Sequence, residues 1–540
     1  MTPFEAPVEA VLFSLQHVAG AHRLPGWDAQ LAREVVRQFA RFAEAEVAPV
    51  DEAADREGCR FADGRVEMPA GLVRAYRAYV EQGWPALELP EAAGGQAVGG
   101  AVAGAITEIF AGASHSLQQV VGLVPGAART LLRFGSEAQQ AKWLPRLASG
   151  EWLVTMALTE PGAGSDLSGI RTRGRHGEGG WTVEGEKIFI TGGDQDLTPR
   201  ILHLVLARTG DAASGVKGLS LFLVPSHDDD GNRQPVTVGR IEDKLGLHAS
   251  PTCQMLFDGA AGELVGTEGG GLAAMFTLMN RARLDVALQG VAHAARAAQI
   301  AAAYAATRRQ GRAPGQAGAA TLDAHADVRR MIDAAEALAV GGRALSHVAL
   351  VEIDLDERPD LVDFLTPVCK FACTEGGIEA ANLAIQVLGG YGYLREYRVE
   401  QALRDARITA IYEGANGIHA LTLATRLLRN ADGAAATAFA GFLASEGARD
   451  ALAAWQAARD RMLAAPDAAK AAHAFMLLTV DAALSAVWLR LERNAAHAPD
   501  PERLLHLARL QRAVLPARLR YHGELLAIAL AAPAAMGRVA

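Results

Sequence analysis

Between residues 151 and 268 the chain changes its hydrophobic period, and no other feature limits its possible folds as strongly. On either side apolar residues recur at helical spacing, as in "LAREVVRQFARFAEAEVAPV" (31–50) and "LAAMFTLMNRARLDVALQGVAHAARAAQIAAAYAATRRQ" (272–310). Inside the interval, short segments rich in β-branched residues are separated by glycine turns: "WTVEGEKIFITGG", "ILHLVLAR", "LSLFLVP", "TCQMLFDG". Trp181 and Val183, then Ile188 and Ile190, alternate with polar neighbours around "EGE", which predicts a hairpin. The first helical run is expected to stop at Pro49, and another helix to start on Ser136 as N-cap. A chain of 540 residues also exceeds what one hydrophobic core serves. The expectation is therefore α+β and multidomain. It comprises an N-terminal helical domain (1–150), a middle β domain (151–268), a C-terminal helix bundle (269–430) and an additional helical extension (431–540).

Composition narrows the function classes. The chain is 50% apolar and 21% charged, with a net charge of −9, so nothing in the overall balance points to nucleic acid or a membrane surface. The start, "MTPFEAPVEAVLFSLQ", carries acids where a signal peptide would be basic. No run of about 18 uncharged apolar residues occurs, so no transmembrane helix is expected. A cytoplasmic location is the default. The four cysteines do not make a disulfide framework in so long a chain, and Cys369 and Cys373 in "CKFAC" read as buried thiols rather than metal ligands. No metal is expected, and His248 and His419 read as polar positions rather than ligands.

One carboxylate is out of place. In "ARITAIYEGANGIHAL" (406–421) Glu413 stands in a run of apolar and small residues. It reads either as the neighbour of a helix N-cap or as an acid kept from water. The second has chemical content, because desolvation disfavours the charged form and makes a stronger base. Upstream, "MALTEPGAGSDLSGIRTRG" (156–174) offers Thr159, glycines and Ser165 in a loop whose amides and hydroxyls suit a polar or anionic cofactor group. Alone, that stretch reads first as a Pro-Gly turn.

The order of motifs adds what single motifs lack. TEPGAGSD, KIFITGG, KLGLHASPTCQMLFDG, QVLGGYGY and RDARITAIYEG follow one another as in the acyl-CoA dehydrogenase flavoenzyme family, which the chain resembles from about residue 80 to about residue 430. The extension past 430, with "ITGGDQDLT", "FTLMNRARLDVALQG" and "YEGANGI", is most similar to the 3-(methylthio)propanoyl-CoA dehydrogenase branch. The resemblance implies FAD as cofactor, an acyl-CoA substrate, an electron-transfer flavoprotein as acceptor, and a homodimer or homotetramer. It implies Glu413 as catalytic base, taking the α-proton of the thioester, with the Glu413 amide polarising the carbonyl and Gly414 letting the thioester approach. Ser165 and Arg283 would line the thioester site. Leu158 and Thr159 would hold the flavin pyrimidine edge, Ser165 would lie near the pyrophosphate, Phe189 against the ring system and Thr191 near N5. Arg308 would reach the FAD of a neighbouring subunit, and Gln386, Gly389 and Gly390 would receive its adenine-nucleotide end.

The residues allow plainer readings too: Phe189 as a β-core aromatic, Arg308 and Arg309 as solvated charges, "GGYG" as a helix C-cap. The alternative position for the base in some relatives corresponds to Ala282, which cannot serve, and Asp285 points elsewhere on its helix. Ala415 stands where the family commonly has threonine, removing one hydrogen bond to FAD, a loss of about 0.5–1.5 kcal/mol. Met275, Met279 and Tyr391 are candidate walls of the acyl pocket. A competing function, a flavin protein of the alkylation-response type that associates with nucleic acid, would need a basic stripe in the extension. From 431 onward there are 12 Lys/Arg against 10 Asp/Glu, with Arg503, Arg509, Arg512, Arg518 and Arg520 clustered.

Overall fold

A computed structural model describes residues 2–315 and 317–532, with the backbone alone described for 276–280. Met279 thus falls outside the described side chains. The chain divides into two compact units, Gln38–Ala282 and the combination of Met1–Arg37 with Arg283–Ala540.

The first helix considered, α1 (Ala29–Phe42), gives way to a wider turn at Ala43–Val47. The chain does not stop at Pro49. A new helix, α2 (Ala48–Glu57), begins there with the proline in its first turn, where the missing N–H has no partner to lose. Next comes a small hairpin, β1 (Arg60–Ala62) and β2 (Arg65–Glu67), within the stretch expected to be helical. Its turn residues Asp63 and Gly64 are both left-handed, as a two-residue Asp-Gly turn requires. Helix α3 (Gly100–Val121) bends where Ser114 leaves helical geometry. Helix α4 (Glu137–Ala148) starts on Ser136 as expected. The Ser136 hydroxyl accepts from the Gln139 amide at 3.2 Å, and the Gln139 side chain accepts from the Ser136 amide at 3.0 Å.

The β segments form one seven-stranded sheet: β3 (Trp152–Ala157), β4 (Arg173–Gly177), β5 (Gly180–Thr191), β6 (Arg200–Arg208), β7 (Leu219–Pro225), β8 (Val236–Ile241) and β9 (Thr252–Val265). Pairings β6–β4–β5–β9–β7 return to β6 and close a barrel-like circuit, with β3 added on β6 and β8 on β9. Closure leaves few open edges and encloses a core of Val183, Ile190, Val205, Phe222, Val224, Met255 and Phe257. The hairpin expected around "EGE" is not there. Residues 180–191 are one strand, and the turn lies earlier, where Gly177 opposes Gly180. Gly185 serves close approach instead, since a Cβ would sit 2.5 Å from the Thr172 hydroxyl.

The other unit is helical. Helix α5 (Gly271–Thr307) enters it at Arg283 and packs with α6 (Ala326–Leu355), α7 (Pro359–Leu388) and α8 (Val399–Arg407) around an Ala-rich core that includes Ile300, Met331, Ile332, Val387, Leu388 and Val399. Small residues allow the helices to touch backbone to backbone. A Cβ on Gly290 would lie 2.3 Å from the Cys373 carbonyl, and one on Gly377 would lie 2.6 Å from that of Gly290. Cys369 and Cys373 are buried free thiols, as read from the sequence. After α9 (Asn416–Thr422), the extension contributes α10 (Ala472–Arg493) and α11 (Pro501–Ala531). Among the described residues, Ala326–Leu355 and Ala468–Arg493 have the length and apolarity of a membrane span. In each case most of the apolar window, 78% and 72%, is buried inside the protein. Three of the five clustered arginines are engaged: Arg503 with Asp333 and Glu336, Arg512 with Glu492, Arg518 with Asp481. Those three charges are thus matched by carboxylates of the protein itself.

Candidate active site

Glu413 sits between a short helical turn (Ile408–Ala410) and α9. Its backbone is left-handed (φ 52°), and Gly414 follows at φ 91°. A left-handed turn at a non-glycine residue is strained, and its surroundings have to hold it. They do so from three sides. The Tyr412 hydroxyl donates to Gln289 of α5. His419 Nε2 donates to the Glu413 carbonyl at 3.2 Å. Lys370 Nζ, from α7, donates to the Gly414 carbonyl at 2.9 Å and to Asn416 Oδ1 at 2.8 Å. A side chain at 414 would come within 2.9 Å of the His419 ring.

The carboxyl is half-buried, and among the described residues its Oε2 is shut from solvent with no hydrogen-bond partner. Burial pushes its pKa up to about 7; Arg283 and Lys370 oppose the rise, and Asp285 adds to it. Lys370 is fully buried, which holds its own pKa well below the usual lysine range against the pull of Glu413 and Glu375. His419 is kept neutral by burial and by the same two cations, its pKa pushed down to about 3. With a carbonyl as partner, Nε2 is therefore the protonated nitrogen. The site holds a weak acid poised at neutral pH, beside the Arg283 cation and a lysine, Lys370, that titrates over the same range, and aimed by a fixed turn.

In the other unit the TEP loop is braced from beneath. The buried Lys187 ammonium donates to the Leu158 carbonyl and to Glu160, both at 2.8 Å. Glu160 in turn accepts from the amides of Arg171 (2.7 Å) and Thr172 (3.0 Å). The Thr159 carbonyl accepts from the Ile188 amide at 2.9 Å. Above, Gly162 and Ser165 are exposed, and nothing lies within 4 Å of a Cβ built on Gly162. Phe189 is no core aromatic. It is 59% exposed, left-handed (φ 59°), and sits where the β5–β9 register shifts. A large ring presented outward on a strained bulge is a surface built to be covered. Two residues on, the Thr191 hydroxyl accepts from Gln119 at 3.3 Å.

A third cluster is a groove of about 490 Å³ at the end of the bundle, lined by Tyr304, Arg308, Gln310, Gly389, Gly390 and Tyr391 among others. The Arg308 guanidinium lies 5.7 Å from the Tyr391 ring centre. Cβ atoms on Gly389 and Gly390 would point into open space. Gln386 does not line the groove; its carbonyl accepts from the Gly389 amide and ends α7. Tyr391, expected as an acyl-pocket wall, lines this groove instead. Met275 is wholly buried. Taken each by itself, the outward Phe189 ring beside the open glycine loop suits a planar group, and the groove, with a cation, flat rings and bare backbone, suits an anionic nucleotide.

Lys370, Asn416 and Tyr304 were not singled out from the sequence. Lys370 carried the same signal as Glu413, a lone charge in an apolar run, but "CKFAC" draws the eye to its cysteines. Tyr304 stands one helical turn before Arg308, which places the two on one face.

Helical flanks, a closed sheet with an outward aromatic and an isolated acid in a helix bundle are the arrangement of a class of flavin-dependent dehydrogenases, as comparison with known proteins shows. The acyl-CoA dehydrogenase N-terminal, middle and C-terminal domains match residues 29–151, 155–260 and 269–428. The chain is 40% identical over 465 residues to the 3-methylmercaptopropionyl-CoA dehydrogenase of Ruegeria pomeroyi, covering 82% of this chain and 79% of that one. It is 34% identical to a broad-specificity linear acyl-CoA dehydrogenase of Mycobacterium tuberculosis, covering 78% and 74%. Among solved structures, an acyl-CoA dehydrogenase from Bacillus anthracis complexed with FAD superposes with a TM-score of 0.76 over 96% of this chain and 92% of that one. At 20% identity it speaks for the fold, extension included. This chain belongs to the acyl-CoA dehydrogenase family, and is an FAD-dependent oxidoreductase acting on acyl-CoA.

Proposed function

We propose that the chain converts a short or medium acyl-CoA to its trans-2-enoyl-CoA, with 3-(methylthio)propanoyl-CoA as the first candidate, and that Glu413 is the base. The reading rests on one observation above all: a carboxyl with a buried, unpartnered oxygen at a strained, tightly held turn. At pH above about 7 that group is ionised and is a stronger base than an ordinary carboxylate, suited to the α-proton of a thioester. Arg283 supplies fixed positive charge beside it, and the Glu413 amide and bare Gly414 give the thioester carbonyl a donor and room. FAD, when bound, supplies the hydride acceptor for the β-carbon. Leu158, Thr159, Ser165, Phe189 and Thr191 would hold its flavin end, the braced loop fixing position and the exposed ring covering one face. Arg308, Gly389 and Gly390, with Gln386 behind them, would take the adenine-nucleotide end of a second subunit's FAD, so that a homodimer or homotetramer completes the cofactor site. An electron-transfer flavoprotein as acceptor and a cytoplasmic location belong to the same reading. A Glu413→Gln variant is expected to stay yellow and lose turnover by orders of magnitude on a panel of acyl-CoA lengths with a dye acceptor. Near-normal turnover would remove Glu413 from the role.

A further inference from the structure

Lys370 belongs to no assigned role, yet it is the fully buried cation nearest the Glu413 turn by direct bonding. Its ammonium donates to the Gly414 carbonyl at 2.9 Å and to Asn416 Oδ1 at 2.8 Å. Asn416 is fixed in turn, donating to the Thr374 hydroxyl at 3.0 Å and to Glu375 at 2.7 Å, and Thr374 donates back to the Lys370 carbonyl at 2.7 Å. One reading makes this a mere brace for the start of α9. A brace would not need a charge. A neutral donor would make the Gly414 bond without the penalty of burying a cation. Burial brings the Lys370 pKa down to about 7 while the neighbouring carboxylates, Glu413 and Glu375, draw it back up, so its ammonium form depends on those two acids.

We propose that Lys370 is a positioning residue for catalysis, fixing the left-handed Glu413–Gly414 turn through its backbone and holding Glu413 in the carboxylate form needed to accept a proton. The inference rests on the proposed role of Glu413. The charges acting on that carboxyl are Arg283 and Asp285 from α5 and Lys370 from α7. Around them, Glu375 of α7 acts on Lys370, Arg426 beyond α9 acts on Arg283, neutral His419 of α9 bonds the Glu413 carbonyl, and the Tyr412 phenol beside the acid feels its charge. Lys370 also bonds the turn that carries the acid, at the Gly414 carbonyl. Without it, burial and Asp285 are opposed only by Arg283, and the acid stays protonated to higher pH.

The test uses the FAD-loaded enzyme and two variants. Lys370→Gln retains a hydrogen-bond donor without the charge; Lys370→Met removes both. The acidic limb of the kcat/KM profile for an acyl-CoA is expected to move up by about one pH unit in both. Activity at pH 7 should fall roughly tenfold and recover toward pH 9. Lys370→Arg, which keeps the charge, should return the limb toward its original place. Independently of turnover, the protonated-carboxyl infrared band of Glu413, isolated as the difference between each protein and its Glu413→Gln counterpart, should persist about one pH unit higher in Lys370→Gln. If Lys370→Met fails to fold or to hold flavin, Lys370→Gln decides. A uniform loss at every pH, with limb and band unmoved, would overturn the proposal and leave Lys370 a brace. An enzyme inactive on all acyl-CoAs would refute the dehydrogenase reading instead, while the infrared titration would still report on Lys370.

Discussion

At the scale of the residue, the acid that the sequence made conspicuous is also a liability to folding. The native Glu413 carboxyl binds its proton more tightly than the unfolded one, with a pKa of about 7 against 4.5. Native protein therefore carries more protons between those values, and stability falls as pH rises from about 4.5 toward 7. Glu413→Gln should melt higher than wild type at pH 8, by an amount on the order of 2 kcal/mol, and the gain should vanish below about pH 5. Melting curves at both pH values check this. Phe189 makes the complementary case. Phe189→Gly should relieve left-handed strain of about 1 kcal/mol and raise the melting temperature of the flavin-free protein, while weakening FAD binding in a fluorescence titration. If the variant bound FAD as tightly as wild type, the outward ring would have no part in holding it. An acid in an apolar run is legible without coordinates. The left-handed angle of Phe189 is not, because it arises from a register shift against a strand some sixty residues away.

At the scale of the element, periodicity identified helix and sheet but misplaced turns wherever glycine had a second use. "EGE" looked like a hairpin because Gly185 interrupts a strand pattern, yet that glycine makes room for Thr172. The real turn signal, Asp63-Gly64, lay in a stretch read as helical because the neighbouring helices dominated it. Pro49 likewise marks a helix start rather than an end. Between helices the same economy is visible at Gly290 and Gly377. Gly290→Ala should destabilise the protein by about 1–3 kcal/mol, because the new methyl meets backbone rather than a movable side chain. Thermal denaturation would show it, and an unchanged midpoint would mean α5 and α7 can part without penalty.

At the scale of the whole molecule, the extension after residue 430 is integral to the helical unit. Asp481 on α10 is wholly buried and is held by Arg518 at 2.8 Å and His522 at 2.6 Å, both on α11. Replacing both partners by alanine strands a buried charge, and should lower stability by about 3 kcal/mol in a thermal melt. If the Asp481→Ala change on top of it did not restore part of that loss, the charge would not be its source.

The amino-acid sequence determined the order of helical and sheet regions and made one carboxylate conspicuous in an apolar run. These follow from local period and composition, which act over a few residues. Only the folded chain decided that this carboxyl rests on a strained turn, that Lys370 and His419 hold it, and that Arg308, Gly389, Gly390 and Tyr391 share one groove while Gln386 does not. Those facts join residues tens to hundreds apart, and burial, which sets the proton affinity of Glu413, exists only once distant helices have closed around it.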